Sequence, residues 1–213
     1  VAKLRTFVAK PFNYARFYDW LAPIYATGQR LLPMWRGYTE TVLPWLPPTG
    51  AVLEIGPGPG VLLEKLAGRH HFAAGLDLSP GMLREAKRRL ESAHRYVRLV
   101  RGDAVALPFA TGSLDGVATT FALSAIPDGL GAVREVSRVL RAGGVLALVD
   151  AGYPKDGNPM GSALARLWEL GGDFMRDEAQ FMAQAGLEIL MRREFGPFDH
   201  IRLVVGRKPP GSG

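Results

Sequence analysis

The sequence predicts a doubly wound α/β domain, and three observations lead there. Short apolar runs of strand length alternate with helical stretches from Ala51 to Asp150. Those runs lack a polar face, as strands of a parallel sheet covered by helices on both sides must. The first run ends in a glycine-rich loop, Gly56-Pro57-Gly58-Pro59-Gly60, at the carboxyl end of a strand, where open α/β sheets bind ligands.

The elements follow in order. A helical preface runs to about Trp45, and Leu46-Pro47-Pro48-Thr49-Gly50 breaks it. Ala51 to Ile55 is the first strand and Val61 to Gly68 the helix after the loop. Phe72 to Leu78 is the second strand, and Ser79 as N-cap with Pro80 in the first helical position opens the next helix. Tyr96 to Val100 and Leu114 to Thr120 are strands three and four. Leu130 to Leu140 is a helix stopped near Gly143-Gly144, and Val145 to Asp150 is strand five. Met160 to Ala185 is helical with an interruption at Gly171-Gly172. Leu187 to Phe195 and Ile201 to Arg207 close the chain. The turn Gly196-Pro197-Phe198 between them is short enough for a hairpin, so one of these strands runs antiparallel to the rest.

With 213 residues, 47% hydrophobic and 22% charged, the chain has the composition of one globular domain, not of a disordered or collagenous protein. The absence of cysteine excludes disulfides, a thiolate zinc site and a cysteine nucleophile. Four histidines remain as nitrogen ligands, and no spacing suggests a metal site. No apolar run reaches the ~18 residues of a membrane-spanning helix. Lys and Arg number 26 against 20 Asp and Glu, a formal charge of +6, which suits RNA, a phospholipid surface or an acidic substrate. The first 50 residues hold six basic side chains against two acidic ones, interleaved with Phe7, Phe12, Tyr14, Phe17, Tyr18, Trp20 and Tyr25. That mixture fits a membrane-interface helix, a substrate lid or a packed helix with snorkelling arginines. Arg84, Lys87, Arg88 and Arg89, set among Glu85 and Glu91, fall in the pattern of an exposed helix face.

Three glycines at alternate positions after a strand imply positive φ or close approach to a nucleotide-like ligand. The dinucleotide fingerprint is G-x-G-x-x-G, but here the third glycine comes one residue early and position 61 is valine. Pro57 and Pro59 also remove two amides that a pyrophosphate would use. Glu54, at the strand tip, would repel a diphosphate and attract a cation. S-adenosylmethionine carries an ammonium and a sulfonium and no phosphate. Asp77, 21 residues after Gly56, is placed to accept from ribose hydroxyls. Asp103 and the amide of Ala104, after strand three, could recognise the adenine edge. Three acids at three consecutive strand ends form one expected site.

These motifs resemble the class I S-adenosylmethionine-dependent methyltransferases, of the subgroup with quinone-biosynthesis and bacterial phospholipid methyltransferases. The matching landmarks are VLEIGPGPG, GLDLSPGML, GDAVALPFATGSLDGVATTFALSAIPD and REVSRVLRAGGVLALVD. The resemblance implies a Rossmann-like seven-stranded sheet of order 3-2-1-4-5-7-6, with strand seven antiparallel. It further implies an N-terminal helical cap (1–48), a cofactor-binding core (49–150) and a substrate-side segment with the closing strands (151–213). Carried over, Glu54 sits by the methionine ammonium, and Gly56, Gly58 and Gly60 let backbone approach the cofactor. Asp77 binds ribose, Leu78 and Met82 flank adenine, and Asp103 with Ala104 reads its edge. Thr119, Thr120 and Phe121 face the methionine moiety. Ala26 departs from the family, standing where a second acid often follows the tyrosine. Asp115 is assigned to the start of strand four, outside the site.

Methyl transfer is an in-line displacement that alignment and exclusion of water can accelerate, so neither metal nor nucleophile is required. Where the acceptor must lose a proton, the candidate bases are Tyr18, Tyr25 and His200. His70, His71 and His94 are expected at the surface. Leu164, Leu167, Trp168, Leu170, Phe174, Met175 and Tyr153 are expected either in the core or lining an apolar acceptor pocket. A phospholipid amine or quinone precursor is therefore favoured, with S-adenosylhomocysteine as the co-product. The expected setting is the cytoplasm, with peripheral contact at the inner membrane face through the N-terminal stretch and no nucleic-acid partner. An RNA or protein methyltransferase and a non-catalytic S-adenosylmethionine-binding regulator are the alternatives; an NAD-dependent dehydrogenase has the wrong glycine spacing. The sequence leaves the oligomeric state open.

Overall fold

The structure, a computed structural model, describes Asp19 and residues 33–170 and 172–211. Strand β1 (Ala51–Ile55) is buried from Val52 onward and lies parallel between β2 (Phe72–Asp77) and β4 (Leu114–Thr120). Further strands are β3 (Arg98–Arg101), β5 (Leu140–Ala151), β6 (Glu188–Phe195) and β7 (Ile201–Arg207). They complete a seven-stranded sheet of order β3-β2-β1-β4-β5-β7-β6. β7 pairs antiparallel with both β5 and β6, and the short turn between the last two strands accounts for the second of these pairings. The described helices are α1 (Pro33–Glu40), α2 (Val61–Ala67), α3 (Pro80–Ser92), α4 (Gly129–Val139), α5 (Pro159–Leu170) and α6 (Glu178–Gln184).

Alternation along β1 sends side chains to two cores. Leu53 and Ile55 join Val133 and Val136 of α4 and Met182 of α6, whereas Val52 joins Val42, Leu62 and Leu66 on the other face. Each fully buried leucine contributes about 1.5–3 kcal/mol by leaving water, so strands with two apolar faces hold helices on both sides. Ser79 caps α3 as its sequence position predicts, its Oγ accepting from Met82 N at 3.1 Å. Asp115 serves the start of the sheet: its carboxylate accepts from Ala51 N and pairs with Arg141, both at 2.6 Å.

Three boundaries differ from the sequence expectation. Strand β3 starts at Arg98 instead of Tyr96, because His94 turns to φ 51 and Arg95 N donates to Leu90 O, closing α3 with those residues. Tyr96 is left fully exposed. The helix before β5 ends at Val139, and Leu140 already pairs with Leu114 across a register shift, so Gly143-Gly144 is an irregularity within β5 and no helix stop. The helical stretch after Met160 is broken over 172–177, more widely than two glycines suggest. Of the expected N-terminal cap, α1 and the turn after it lie within the described residues.

Candidate functional site

The carboxyl ends of β1, β2 and β4 lie side by side, and the loops that leave them carry the expected cofactor residues. After β1 the backbone turns left-handed at Gly56, Gly58 and Gly60, with φ of 64, 51 and 80. A side chain is excluded twice over at Gly56, where a Cβ would come within 2.4 Å of the Ala122 methyl. At Gly60 a Cβ would press to 3.1 Å on Ala86 of α3. Close packing of the loop onto α3 and onto the segment after β4 therefore fixes these two glycines, a constraint separate from ligand approach.

Asp77, the last residue of β2, closes the loop from the other side. Its Oδ2 accepts from Gly58 N at 3.3 Å and its Oδ1 from Ser79 N at 2.9 Å. Burial raises its pKa to about 6, against the lowering pull of backbone donors at Ser79, Gly58 and Leu78. Glu54 is 1% exposed. Its Oε2 has no hydrogen-bond partner among the described residues. Burial first, and the nearby charge of Asp77 second, push its pKa to about 8. Among the described residues neither acid is ion-paired to Lys or Arg. Buried Glu54 and half-buried Asp77 offer acceptor oxygens, one of them without a partner among the described residues, which match the hydrogen-bonding needs of an ammonium and not those of a phosphate.

The remaining expected residues divide. Asp103 is exposed two residues beyond β3, where its carboxylate accepts from Val105 N at 3.1 Å, and Ala104 is buried beside Leu76 and Leu107. Leu78 is 43% exposed and Met82 is 3% exposed within α3. Thr119 and Thr120 are buried at the end of β4, and Thr119 Oγ1 has no hydrogen-bond partner among the described residues. Phe121 takes φ 53, and its N–H donates to Val149 O at 2.8 Å. Its ring stacks on Trp168 of α5, with centroids 6.0 Å apart and planes at 15°.

Among the candidate bases, Tyr18 and Tyr25 lie outside the described residues. Asp19, next to Tyr18 in sequence, is described, and pairs with Arg84 of α3 at 3.2 Å. His200 stands immediately before β7, 8% exposed, with Nδ1 against the carbonyl oxygen of Pro197. His200 is thus on the carboxyl edge of the sheet, on the β5/β7 side. His70, expected at the surface, is half-buried: its ring nitrogens face Leu66 O at 3.1 Å and Pro47 O at 2.7 Å. His71 and His94 are exposed. Among the described residues no group of three His, Asp or Glu could hold a metal ion.

One cluster escaped the sequence reading. At the end of β5, Asp150 accepts from Ser124 N at 2.9 Å and Ser124 Oγ at 2.8 Å. Arg202 of β7 donates to Glu178 at 3.1 Å and to Arg176 O at 2.6 Å. Arg202 and Glu178 are 5% and 3% exposed, and burial raises the Glu178 pKa to about 7 despite the guanidinium. Arg176 in turn donates to Ile126 O at 2.6 Å and Pro127 O at 2.7 Å, and Phe174 N donates to Ser124 O at 2.8 Å. The 172–177 segment is thereby strapped across the ends of β4, β5 and β7. The signal in the sequence is three charged residues, Asp150, Glu178 and Arg202, next to or inside apolar strands and helices.

Comparison with known proteins agrees with this geometry. Residues 53–148 match the methyltransferase domain family. A curated demethylmenaquinone methyltransferase from Mycolicibacterium vanbaalenii is 36% identical over 148 residues, covering 69% of this chain and 61% of that one. The chain thus spans about three fifths of that relative. A chain from the Haloferax volcanii complex of the Trm112 methyltransferase activator with a methyltransferase superposes with a TM-score of 0.74 at 20% identity, over 90% of this chain and 97% of that one. The cyclase SpnF superposes at 0.71 with 17% identity, over 92% and 95%, so this fold also serves other chemistry. Motif order, sheet order and family match coincide on one stretch, residues 53–148, which is similar to methyltransferase domains and lies in a sheet of the same strand order as the resemblance implied.

Proposed function

We propose that the chain binds S-adenosylmethionine at the β1/β2/β4 edge and transfers its methyl group to a small hydrophobic acceptor, a quinone precursor. The observation that carries this reading is Glu54, a buried acid with an unmet acceptor oxygen and no basic partner among the described residues. S-adenosylmethionine supplies an electrophilic methyl on a sulfonium. Glu54 receives the ammonium, directly or through water, and Asp77 receives the ribose hydroxyls while it holds Gly58 in place. Gly56, Gly58 and Gly60 shape the loop; Leu78 and Met82 bound the adenine, with Asp103 and the Ala104 amide at its edge. Thr119, Thr120 and Phe121 stand by the methionine portion. Alignment of acceptor and sulfonium with water excluded provides most of the acceleration, and His200, Tyr18 or Tyr25 takes the proton where one must leave.

The choice of acceptor follows the demethylmenaquinone methyltransferase likeness. Apolar side chains around the carboxyl edge, Phe121, Trp168 and Met175, suit a hydrophobic ring better than a polar metabolite. Among the described residues no helix is long and apolar enough to cross a membrane; peripheral contact through the N-terminal stretch belongs to residues outside those described. The test is incubation with methyl-labelled S-adenosylmethionine and a demethylated naphthoquinol. Label in the organic phase is expected. Label that enters only acid-precipitable material from added cell extract would transfer the assignment to a macromolecular acceptor. Tight cofactor binding with no transfer to quinol or extract would make the chain a regulator.

A further inference from the structure

The cations of α3 and β3 are of two kinds. The four on α3 are matched: Arg84 pairs with Asp19 at 3.2 Å, Lys87 with Glu91 at 3.7 Å, Arg89 with Glu64 at 3.3 Å, and Arg88 with Glu85. The three that follow, Arg95, Arg98 and Arg101, are exposed, and none of their guanidiniums is hydrogen-bonded or ion-paired among the described residues. No acid lies between His94 and Arg101 in the sequence. Water satisfies an exposed guanidinium, so what matters is where these stand. Strand β3 ends the sheet order beside β2. Arg98 and Arg101, three residues apart in a strand, leave it on opposite faces, so positive charge flanks the sheet edge on both sides. Arg95 precedes the strand, with its guanidinium beside Gly68, where a Cβ would meet it at 3.3 Å.

Between α3 and β3 lies a cleft of about 530 Å³. Its floor is the less exposed, apolar part of the lining, Leu90, Val97 and Leu99, and its rim carries the exposed His94 and Arg95. Among the described residues its one acid is Glu91, already matched by Lys87. Tyr96 stands at the rim, fully exposed. The backbone holds it there, because His94 turns to φ 51 and Arg95 N donates to Leu90 O at 2.9 Å. Phe72, 37% exposed, begins β2 two residues before Ala74, the partner of Arg98, and is therefore level with Tyr96.

We propose that this edge docks the protein on an anionic phospholipid surface, with Arg95, Arg98 and Arg101 against headgroup phosphates, Tyr96 and Phe72 in the interface, and part of one lipid in the cleft. Arginine suits phosphate oxygens, and an amphipathic phenol suits the boundary between headgroups and chains. A flat charged surface can meet cations on both sides of an edge. A single-stranded nucleic acid follows one groove with successive aromatic platforms, whereas both aromatics here sit at one end of the strand. A second copy pairing through β3 would bring its own arginines against these.

The inference stands apart from the proposed methyl transfer, and neither cofactor nor acceptor enters its test. The intact chain is floated with vesicles of phosphatidylglycerol and phosphatidylcholine in equal parts, and with phosphatidylcholine alone. Association with the mixed vesicles, weakening as salt rises, and little with the neutral ones is expected. Each basic residue near such a surface contributes about fivefold, so Arg95→Gln with Arg98→Gln should lose about 25-fold. Tyr96→Ser should weaken binding at low and high salt alike. Arg101 is left intact because it is the register partner of Asp77, and unchanged S-adenosylhomocysteine affinity shows that the variants are folded. Lys3→Gln with Arg5→Gln removes the same charge from the N-terminal stretch and should cost much less. No binding of wild type to the mixed vesicles overturns the proposal, as does an equal loss from both pairs, which would reduce the effect to net charge. Tighter binding of an oligouridylate at the same salt would give the edge to nucleic acid. Dimers in vesicle-free solution that the Arg95 and Arg98 changes dissolve would give it to a second copy. Failure on any of these counts leaves the proposed activity untouched.

Discussion

The carboxylate of Asp77 reaches from the end of β2 to the amide of Gly58, 3.3 Å away in the loop after β1. One side chain thereby couples the glycine turn to the β2–α3 turn, whose Ser79 amide donates to the other oxygen at 2.9 Å. The acid expected to bind a ribose is also a brace for the loop that approaches the cofactor.

Replacing Asp77 should therefore act twice. Asp77→Ala removes the acceptor for the ribose and frees two loop amides, and is expected to weaken S-adenosylmethionine binding by about 1–3 kcal/mol. Asp77→Asn retains an oxygen for one amide and should fall between. Calorimetric titration near pH 7 checks both, since Asp77 is mostly ionised above its pKa of about 6. Affinity unchanged in the alanine variant would move the ribose elsewhere.

Glu54 makes binding depend on protons. Burial keeps its carboxyl protonated to about pH 8, while the reference carboxyl titrates near 4.5. An ammonium needs the ionised form, so cofactor binding at pH 7 should release about one proton. Titrations in buffers of different ionisation enthalpy measure it, and Glu54→Gln should abolish it. The same shift sets a stability trend. Because the folded pKa is raised, its stabilising effect is complete below pH 4.5 and is lost as pH rises through 8. The ligand-free Glu54→Gln protein should then outlast wild type in thermal melts by a gap that opens above pH 4.5 and levels off beyond 8. A gap of constant size across that range would mean the carboxyl is not buried as an acid.

Arg202 and Glu178 are a different case, an ion pair with both side chains nearly out of solvent. Arg202→Met strands Glu178 and Asp150 without their shared cation and breaks the bond to Arg176 O. A loss of about 3–5 kcal/mol is expected from breaking such a pair, and the 172–177 strap should become the first site of limited proteolysis. Arg202→Met with Glu178→Leu should recover part of the stability, as apolar replacement of a buried pair often does. Urea unfolding midpoints of the two proteins give the comparison; equal midpoints would show that the pair is not the strap's anchor.

Much of this was legible in the sequence because local chemistry and burial agree there. Leu114–Thr120 and Ile201–Arg207 are mostly apolar and almost wholly buried, and both strands fall on the predicted residues. Ser79-Pro80 names a helix start through capping alone. Boundaries set by distant partners were not legible. Leu140 enters β5 because Leu114 pairs with it, and the 172–177 break follows from bonds to Ser124, Ile126 and Pro127, some fifty residues away. In the site, the acids could be placed at strand ends by counting. The double duty of Asp77, and Ala122 packing where Gly56 lacks a side chain, needed the third dimension.

His200 closes the set of tests, because its geometry limits what it can do. Gly152 N donates to its carbonyl at 2.9 Å, which ties the residue to the end of β5. Pro197 O can only accept, so the Nδ1 facing it carries the ring proton, and Nε2 is left as the acceptor nitrogen. A base at this position must therefore act through Nε2. His200→Ala is expected to lower turnover of a quinol acceptor by about 10²-fold or more, the usual scale of general base catalysis, with cofactor affinity unchanged. His200→Gln, which preserves a polar side chain without a titratable nitrogen, should be as slow if proton removal is the role and near wild type if the ring merely packs. Tyr25→Phe serves as the parallel control. Normal turnover in both histidine variants would leave the proton to Tyr18, to Tyr25 or to ionisation of the acceptor itself.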